Sequence, residues 1–359
     1  MGIQNFYVYI IVFVVAVVIG LFLNRFFLTR QMGFLVKKAN STAIRWSSQS
    51  KPIFGGVGFF CLFILGMLAY LFIFGFETAA TQEFITLLIV VTISFLMGLA
   101  DDLISTPPFF KFIVQFLVAV VFIFNEIYIK ISPHDYINFI ITFLWVVGIM
   151  NSINMLDNMD AITGLASLSI IGSIVVSSVI SNHMESCSLS FFISLVLVAS
   201  LISFMFYNWN PSKMYMGDNG SQILGSFLAF VGIAYFWNGI DIAEFSYGYN
   251  TKQIAIVASA FIVPLTDTTT VTINRLLRKK SPFVGGRDHT THHLFYLGLH
   301  ERLIALLLFG LNCIGLFLAY TIIGFEGWEP RHFWLFMMYP IGVFLCLYSI
   351  TKISKPKNK

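Results

Sequence analysis

"FIITFLWVVGIMNSINMLDNMD", Phe139 to Asp160, joins two kinds of chemistry without a break. The first part, through Met150, is what a lipid-facing helix is made of. The last part, from Asn151, holds three asparagines and two aspartates. If the helix runs on past Met150, Asn151, Asn154 and either Asp157 or Asn158 lie one turn apart on one face, and Asp157 and Asp160 are also three apart. Asn and Asp commonly end helices and form turns. Their density here exceeds what a helix end needs, and amide and carboxylate oxygens are hard ligands that suit Mg²⁺ or Mn²⁺.

The apolar half of that stretch is the rule elsewhere in the chain. Of 359 residues, 58% are hydrophobic and 11% charged, with a mean hydropathy of +0.85. A soluble domain carries about 25% charged residues. The expected class is therefore all-α, a polytopic integral membrane protein forming one domain over 1–359. Runs of about 20 apolar residues give eleven candidate spans: 6–28, 53–75, 84–100, 109–125, 137–153, 161–181, 189–207, 221–237, 253–274, 302–323 and 333–351. The third and eighth read as short. The first lacks a small-residue cleavage site and is expected to stay in place. Alternating β-branched residues between 125 and 135 suggest a small surface hairpin. Cys61, Cys187, Cys313 and Cys346 sit in or beside apolar runs without metal-ligand spacing and read as buried free thiols.

Charge gives an orientation. With every second connection cytoplasmic, all of the 21 basic residues except Lys130, Lys252 and Arg331 fall inside, as the positive-inside rule requires. The N-terminus is then outside and the C-terminus in the cytoplasm. Asp101, Asp102, Asp157, Asp160, Asp218, Asp267 and Asp288 lie in or beside the same cytoplasmic connections. A proton or ion pathway would place acids at mid-membrane depth. One-sided carboxylates among basic residues point instead to an active site at the cytoplasmic surface.

Four more stretches carry chemistry. "GLADDL" ends the third span with Asp101 and Asp102, at the helix end whose dipole opposes them. Such a pair is more than a hydrated turn if a cation is near. "MGDNGSQILG" supplies helix-capping residues. Its free N–H groups also suit a phosphate, with Asp218 able to hold a metal beside it. "SPFVGGRDHTTHHLFYLGL" sets His289 and His293 at i, i+4 with His292 adjacent. Nothing completes a zinc site there, so Arg287 and the histidines read better as a diphosphate clamp within the cytoplasmic loop 275–301. In "SKPIFGGVGFF", Gly55, Gly56 and Gly58 allow close helix packing, and Lys51 reaches either a lipid headgroup or a phosphate.

The order "KPIFGG", "DD", "NSINMLDNMD", "MGDNGS" and "RDHTTHH" over 51–293 resembles the polyprenyl-phosphate N-acetylhexosamine-1-phosphate transferases, a glycosyltransferase 4 family. The arginine–histidine stretch is more similar to the branch using UDP-GlcNAc or related sugars than to the branch using UDP-MurNAc-pentapeptide. The resemblance implies transfer of N-acetylhexosamine-1-phosphate, GlcNAc-1-phosphate first, from a UDP-sugar to undecaprenyl phosphate at the plasma membrane, opening cell-wall, lipopolysaccharide or teichoic acid synthesis. It implies Mg²⁺, or Mn²⁺, held by Asp218 with Asn154 or Asp157 beside it. Asp101 and Asp102 would lie near the acceptor phosphate and take or position its proton. Lys111 and Arg287 would hold the diphosphate, with His289, His292 and His293 near the sugar. Asp160 and Asn208 would contact uracil and Tyr215 would stack on it. The family usually reads Asp-Gly-x-Asp-Gly where this chain has Asp157-Asn158-Met159-Asp160-Ala161. Partners on this reading are the two substrates, membrane lipids and, where it self-associates, a second copy; nucleic acid is not among them. The competing classes are a secondary transporter, with Asp267 its best candidate residue, and a scaffold subunit with a vestigial site.

Overall fold

The computed structural model describes residues 3–30, 51–75, 82–180, 188–240, 249–282 and 285–354, with the side chains of 3–6 and 249 outside that description. The basic residues Lys37, Lys38, Arg45, Lys355, Lys357 and Lys359, and Cys187, lie outside the described residues.

The described chain is helical throughout. The helices are α1 (Ile3–Arg30), α2 (Gly55–Phe74), α3 (Gln82–Ile104), α4 (Pro108–Phe124), α5 (Asp135–Leu156), α6 (Ile162–Ile180), α7 (Leu189–Asn208) and α8 (Gly217–Val231), which continues as a π-helical turn, Gly232–Trp237. They continue with α9 (Tyr249–Ala260), α10 (Ile262–Leu277), α11 (Thr290–Tyr296), α12 (Glu301–Ile323) and α13 (Pro330–Ile353). Among the described residues nine helices are long and apolar enough to cross a membrane, and α9 with α10 makes a tenth if that bent pair is one span. The protein is thus a polytopic all-α membrane protein. Each of the eleven expected spans overlaps a helix, and α4, at 17 residues, is the shortest of the single apolar helices among them. The spans read as short are longer than their apolar cores: α3 runs through both aspartates to Ile104, and α8 with its π turn covers 21 residues.

Three expectations need correction. The described cysteines are free thiols but not buried: Cys61 is half-buried, and Cys313 and Cys346 are exposed. The stretch 253–274 is not one straight helix, because α9 and α10 meet at 87°. Pro264 lies in the first turn of α10. It has no N–H for the Ala260 carbonyl and its ring crowds that position, which ends α9. The freed turn is tied down elsewhere: Ser152 Oγ on α5 donates to the Pro264 carbonyl at 2.6 Å. The segment 125–135 forms no hairpin. After a turn at 125–126 the backbone runs irregularly into bends at 132–134 and bonds to side chains, Ile129 N–H donating to Thr142 Oγ1 at 2.9 Å and Lys130 N–H to Asn238 Oδ1 at 3.0 Å. Asn138 Oδ1 accepts from both Ile131 and Ser132 N–H. These amides do the work of a partner strand while Ile129 and Ile131 stay buried.

Helix α8 is the centre of the bundle, packed against α2, α3 and α5. Almost every one of its residues is buried, whereas α1 and α13 face outward with many exposed apolar side chains such as Phe22, Trp334 and Met338. A polar-faced helix could not sit at such a centre without partners. The polar residues of α8 therefore meet others. Close approach of α3 to the start of α8 depends on Gly98, where a Cβ would lie 2.4 Å from Asn219 Cα and 2.5 Å from the Asp218 carbonyl oxygen. An apolar groove of about 200 Å³ between α10 and α13, lined by Ile262, Leu265, Met337, Pro340 and Phe344, contains none of the residues singled out above.

Candidate active site

Four residues from four helices converge at one end of α8. Lys111 Nζ on α4 lies 2.6 Å from Asp101 Oδ2 on α3 and 3.2 Å from Asp218 Oδ2 on α8. Asn154 Nδ2 on α5 donates to Asp218 Oδ1 at 3.3 Å and to Ser221 Oγ at 2.8 Å. Asp101 Oδ1 accepts from Thr106 N–H at 2.8 Å and from its hydroxyl at 2.7 Å. The turn after α3, with Ser105 at φ 54°, thus folds back to fix the carboxylate.

The two adjacent aspartates have different tasks. Asp102 Oδ2 accepts from both the backbone N–H of Asn219 at 3.0 Å and its side-chain Nδ2 at 2.8 Å. It clasps the N-terminal turn of α8, where a carboxylate is favourable. Gly217, at φ 82°, takes the chain into that turn, and a Cβ there would meet Asp102 Oδ2 at 2.8 Å. Asp101 is left facing the cation. Asp157 is the C-cap of α5, three residues past Asn154, and half-buried.

One turn deeper lies a layer of amides. Asn151 Nδ2 donates to Gln115 Oε1 at 2.7 Å, and Gln115 Nε2 to Gln222 Oε1 at 3.4 Å. Gln115 follows Lys111 by four residues and Gln222 follows Asp218 by four, so each lies beneath a site residue on the same helix face. Both glutamines are about 1% exposed. The layer fixes the rotation of α4, α5 and α8 against each other. The only trace in the sequence was a glutamine four residues along from a charged one in each apolar helix.

A second group holds the loop between α7 and α8. Asp160 accepts from Ser212 N–H at 3.0 Å, Ser212 Oγ at 2.7 Å and Asn210 Nδ2 at 3.2 Å. Lys51 Nζ donates to Ser212 Oγ at 3.1 Å and lies 5.0 Å from the centroid of the Tyr215 ring. Asn208 uses both ends of its amide for bracing, accepting from Ala161 N–H at 2.9 Å and donating to the Met214 carbonyl at 2.9 Å. Pro52, Gly55 and Gly56 pair by backbone with Tyr215 and Met216, so "KPIFGG" and "MYMGDNG" are stitched together.

Of the two glycine positions that the chain fills differently, only Ala161 adopts a positive φ, at 68°. A Cβ in this region strains the backbone. Ala161→Gly should raise stability by about 1 kcal/mol. Thermal unfolding in detergent checks it: a raised midpoint is expected, and an unchanged or lowered one contradicts the strain.

The third group is the histidine stretch. His289 Nδ1 is 2.8 Å from Asp267 Oδ2. Asp267 Oδ1 accepts from Thr290 N–H at 2.8 Å and its hydroxyl at 2.6 Å, capping α11. Asp267, the best candidate for the rival transporter class, anchors this loop. Asp288 accepts from Arg275 Nε at 2.9 Å and Nη2 at 2.7 Å. Burial would lift its carboxyl, but the Arg275 bonds and charge hold it below the usual carboxylate value. His293 Nδ1 is 2.7 Å from Ser354 Oγ, and Thr291 donates to Asn158 Oδ1 at 2.6 Å, which ties α11 to the end of α5. Arg287 is exposed, its carbonyl accepting from the Tyr296 hydroxyl.

Burial pushes the His292 imidazole from 6.5 down to about 3. The unfolded chain takes up this proton near pH 6.5, whereas the folded chain resists it until about 3. Stability from His292 is therefore complete above that upper value and drains away as pH falls below it. Thermal midpoints measured between pH 7 and 5 should fall, and His292→Asn should flatten the decline; an equal slope in the variant would contradict this.

A divalent ion fits the first group. Among the described residues no three His, Cys, Asp or Glu side chains are grouped to hold a metal alone. Asp101 and Asp218 supply two carboxylates and Asn154 an amide, and the Lys111 ammonium already marks the spot as cation-attracting. Mg²⁺ commonly takes one or two carboxylates and fills its remaining positions with water and phosphate.

Residues 84–236 match a family model described as "Glycosyl transferase family 4". The chain is 28% identical over 267 residues to a Bacillus subtilis protein named "Probable undecaprenyl-phosphate N-acetylglucosaminyl 1-phosphate transferase", covering 72% of this chain and 69% of the relative. An "Undecaprenyl-phosphate alpha-N-acetylglucosaminyl 1-phosphate transferase" of Thermotoga maritima is 29% identical, over 62% of this chain and 66% of that one. A "Phospho-N-acetylmuramoyl-pentapeptide-transferase" of Staphylococcus epidermidis is 31% identical, over 51% of this chain and 61% of that one. The chain thus spans about two thirds of the length of these relatives.

Proposed function

We propose, from the match of residues 84–236 to the model of glycosyl transferase family 4, that the protein transfers GlcNAc-1-phosphate from UDP-GlcNAc to undecaprenyl phosphate. The observation that carries the reading is the Asp101–Lys111–Asp218–Asn154 group, a cation-attracting cluster where apolar helices end.

The lipid phosphate oxygen attacks the β-phosphorus of the nucleotide sugar. The new P–O bond forms as the bond to the α-phosphate oxygen breaks, giving a lipid diphosphate sugar and UMP. Two anionic substrates repel each other, so positioning and neutralisation carry most of the catalysis. Asp101, the aspartate that faces the cluster, takes or orients the proton of the acceptor phosphate. Lys111 and Arg287 hold the diphosphate, with His289, His292 and His293 on the sugar side. Asp160, Lys51 and Tyr215 form the nucleoside end, Tyr215 offering its ring to uracil and Asn208 bracing that end from beneath. Asp218 and Asp101, with Asn154 or Asp157 beside them, would hold Mg²⁺, which when bound would neutralise phosphate charge and align the reactants.

Basic residues support a cytoplasmic site: Lys51, Lys111, Arg275, Arg287 and Lys352 belong to the connections at this end of the bundle, and Lys130, Lys252 and Arg331 to the opposite ones. A polyprenyl tail cannot leave the bilayer, so its phosphate must meet a soluble nucleotide where helices end. The relatives named as pentapeptide transferases favour UDP-MurNAc-pentapeptide as the second reading. A panel of UDP-sugars tested with purified protein, Mg²⁺ and undecaprenyl phosphate decides. UMP release with UDP-GlcNAc supports the proposal; release with UDP-MurNAc-pentapeptide alone supports the second reading, and release with none rejects both.

A further inference from the structure

The single ammonium of Lys111 bridges two carboxylates from different helices, 2.6 Å from Asp101 Oδ2 and 3.2 Å from Asp218 Oδ2. We propose that Lys111 is the exchangeable counter-ion of the Asp101–Asp218 pair. A divalent cation displaces its ammonium from the two carboxylates, and the displaced ammonium then becomes available to the substrate diphosphate. This rests on the reading of the pair as a divalent-cation site.

Charge and geometry both favour exchange. Two carboxylates and one ammonium leave a net charge of −1 by simple addition, so the site still attracts cations. A divalent ion cannot share these oxygens with an ammonium held this close, because the two positive charges repel in a partly dry setting. The lysine is built to move. It lies in the first turn of α4, its side chain is about one-fifth exposed, and a flexible four-carbon stem can swing where a planar guanidinium fork would be held.

The carboxylates are built to stay. Asp101 Oδ1 is held by both donors of Thr106, and Asp218 Oδ1 faces Asn154 Nδ2. The buried Gln115–Asn151–Gln222 amides lock the helices beneath. Departure of the ammonium thus leaves a prepared pair of oxygens behind it. Cation and nucleotide sugar should then bind cooperatively, each strengthening the other by the same factor, because the ion releases the lysine that the diphosphate uses.

Mn²⁺ binding to the purified full-length protein, followed by electron paramagnetic resonance without substrates, tests this. Lys111→Met removes the competitor, and Mn²⁺ should bind roughly tenfold tighter, an ordinary size for such a coupling. Lys111→Gln keeps a polar bridge between the carboxylates and serves if the methionine variant does not fold; it too should bind Mn²⁺ more tightly. In both variants UDP-GlcNAc should bind more weakly, and adding Mn²⁺ should strengthen that binding less than in the wild type. Unchanged or weaker Mn²⁺ affinity in the folded variants would overturn the exchange. Equal Mn²⁺ binding by wild type and Asp218→Asn would instead show that the carboxylate pair is not the cation site, a separate failure.

Discussion

Asp218→Asn is expected to lower Mg²⁺-dependent UMP release by about a thousandfold while leaving the protein folded. Asp218 touches both Lys111 and Asn154. Amide for carboxylate preserves shape but removes the charge on which cation binding depends, and removing one preorganised electrostatic group at a reacting centre commonly costs 10²–10³ in rate. Asp101→Asn should be comparably damaging, since it removes the other carboxylate on Lys111. Asp102→Asn should be milder, because an amide oxygen can still accept from Asn219 N–H and keep α8 clasped. Initial rates in detergent, with size-exclusion profiles as the check on folding, test the ranking. Full activity in Asp218→Asn would refute the site; a larger loss in Asp102→Asn than in Asp101→Asn would reverse the assignment of the adjacent pair.

Gly98→Ala is expected to reduce activity about a hundredfold without touching any polar group of the site. The new methyl would meet Asn219 Cα, the Asp218 carbonyl oxygen and Asn219 N at 2.4 to 2.6 Å. These are backbone atoms, so α3 has to move away from α8. Displacements of about 1 Å at a positioned catalytic group cost on the order of 10² in rate, and overpacking of this kind costs about 1–3 kcal/mol of stability. Gly148→Ala, where nothing lies within 4 Å of the new Cβ, is the matched control and should behave as wild type. Wild-type turnover in Gly98→Ala would mean that the α3–α8 spacing does not set the site.

Much of this was legible in the sequence because membrane helices must be apolar, so an oxygen-rich helix end stands out. Phe139–Asp160 announced a span with an oxygen-rich end, and Asn154 does meet Asp218 across the bundle. Asp101 and Asp218 could be nominated from residue type and sidedness, and Lys111 from the resemblance alone. What could not be read was which neighbour each one serves. Asp101 and Asp102 are chemically alike, and only the tertiary fold turns one toward Lys111 and the other onto Asn219. The bend at Phe261 was hidden inside a continuous apolar run; Pro264 was its one visible sign. The segment 125–135 carried a hairpin's alternation but bonds to Thr142, Asn138 and Asn238, partners that no local pattern reveals. Lys51, Asp160 and Tyr215 were flagged separately, and Ser212, the serine joining Lys51 to Asp160, was not. A serine in a loop gives no signal until the fold supplies its partners.

The most direct measurement is an anomalous difference map from crystals grown with Mn²⁺ and UDP-GlcNAc. The account requires a peak within about 2–2.5 Å of a carboxylate oxygen of Asp218, beside Asp101 and the nucleotide diphosphate, with Lys111 drawn away from the two aspartates. A peak among His289, His292 and His293 instead, or nucleotide bound with no metal near Asp218, would contradict it.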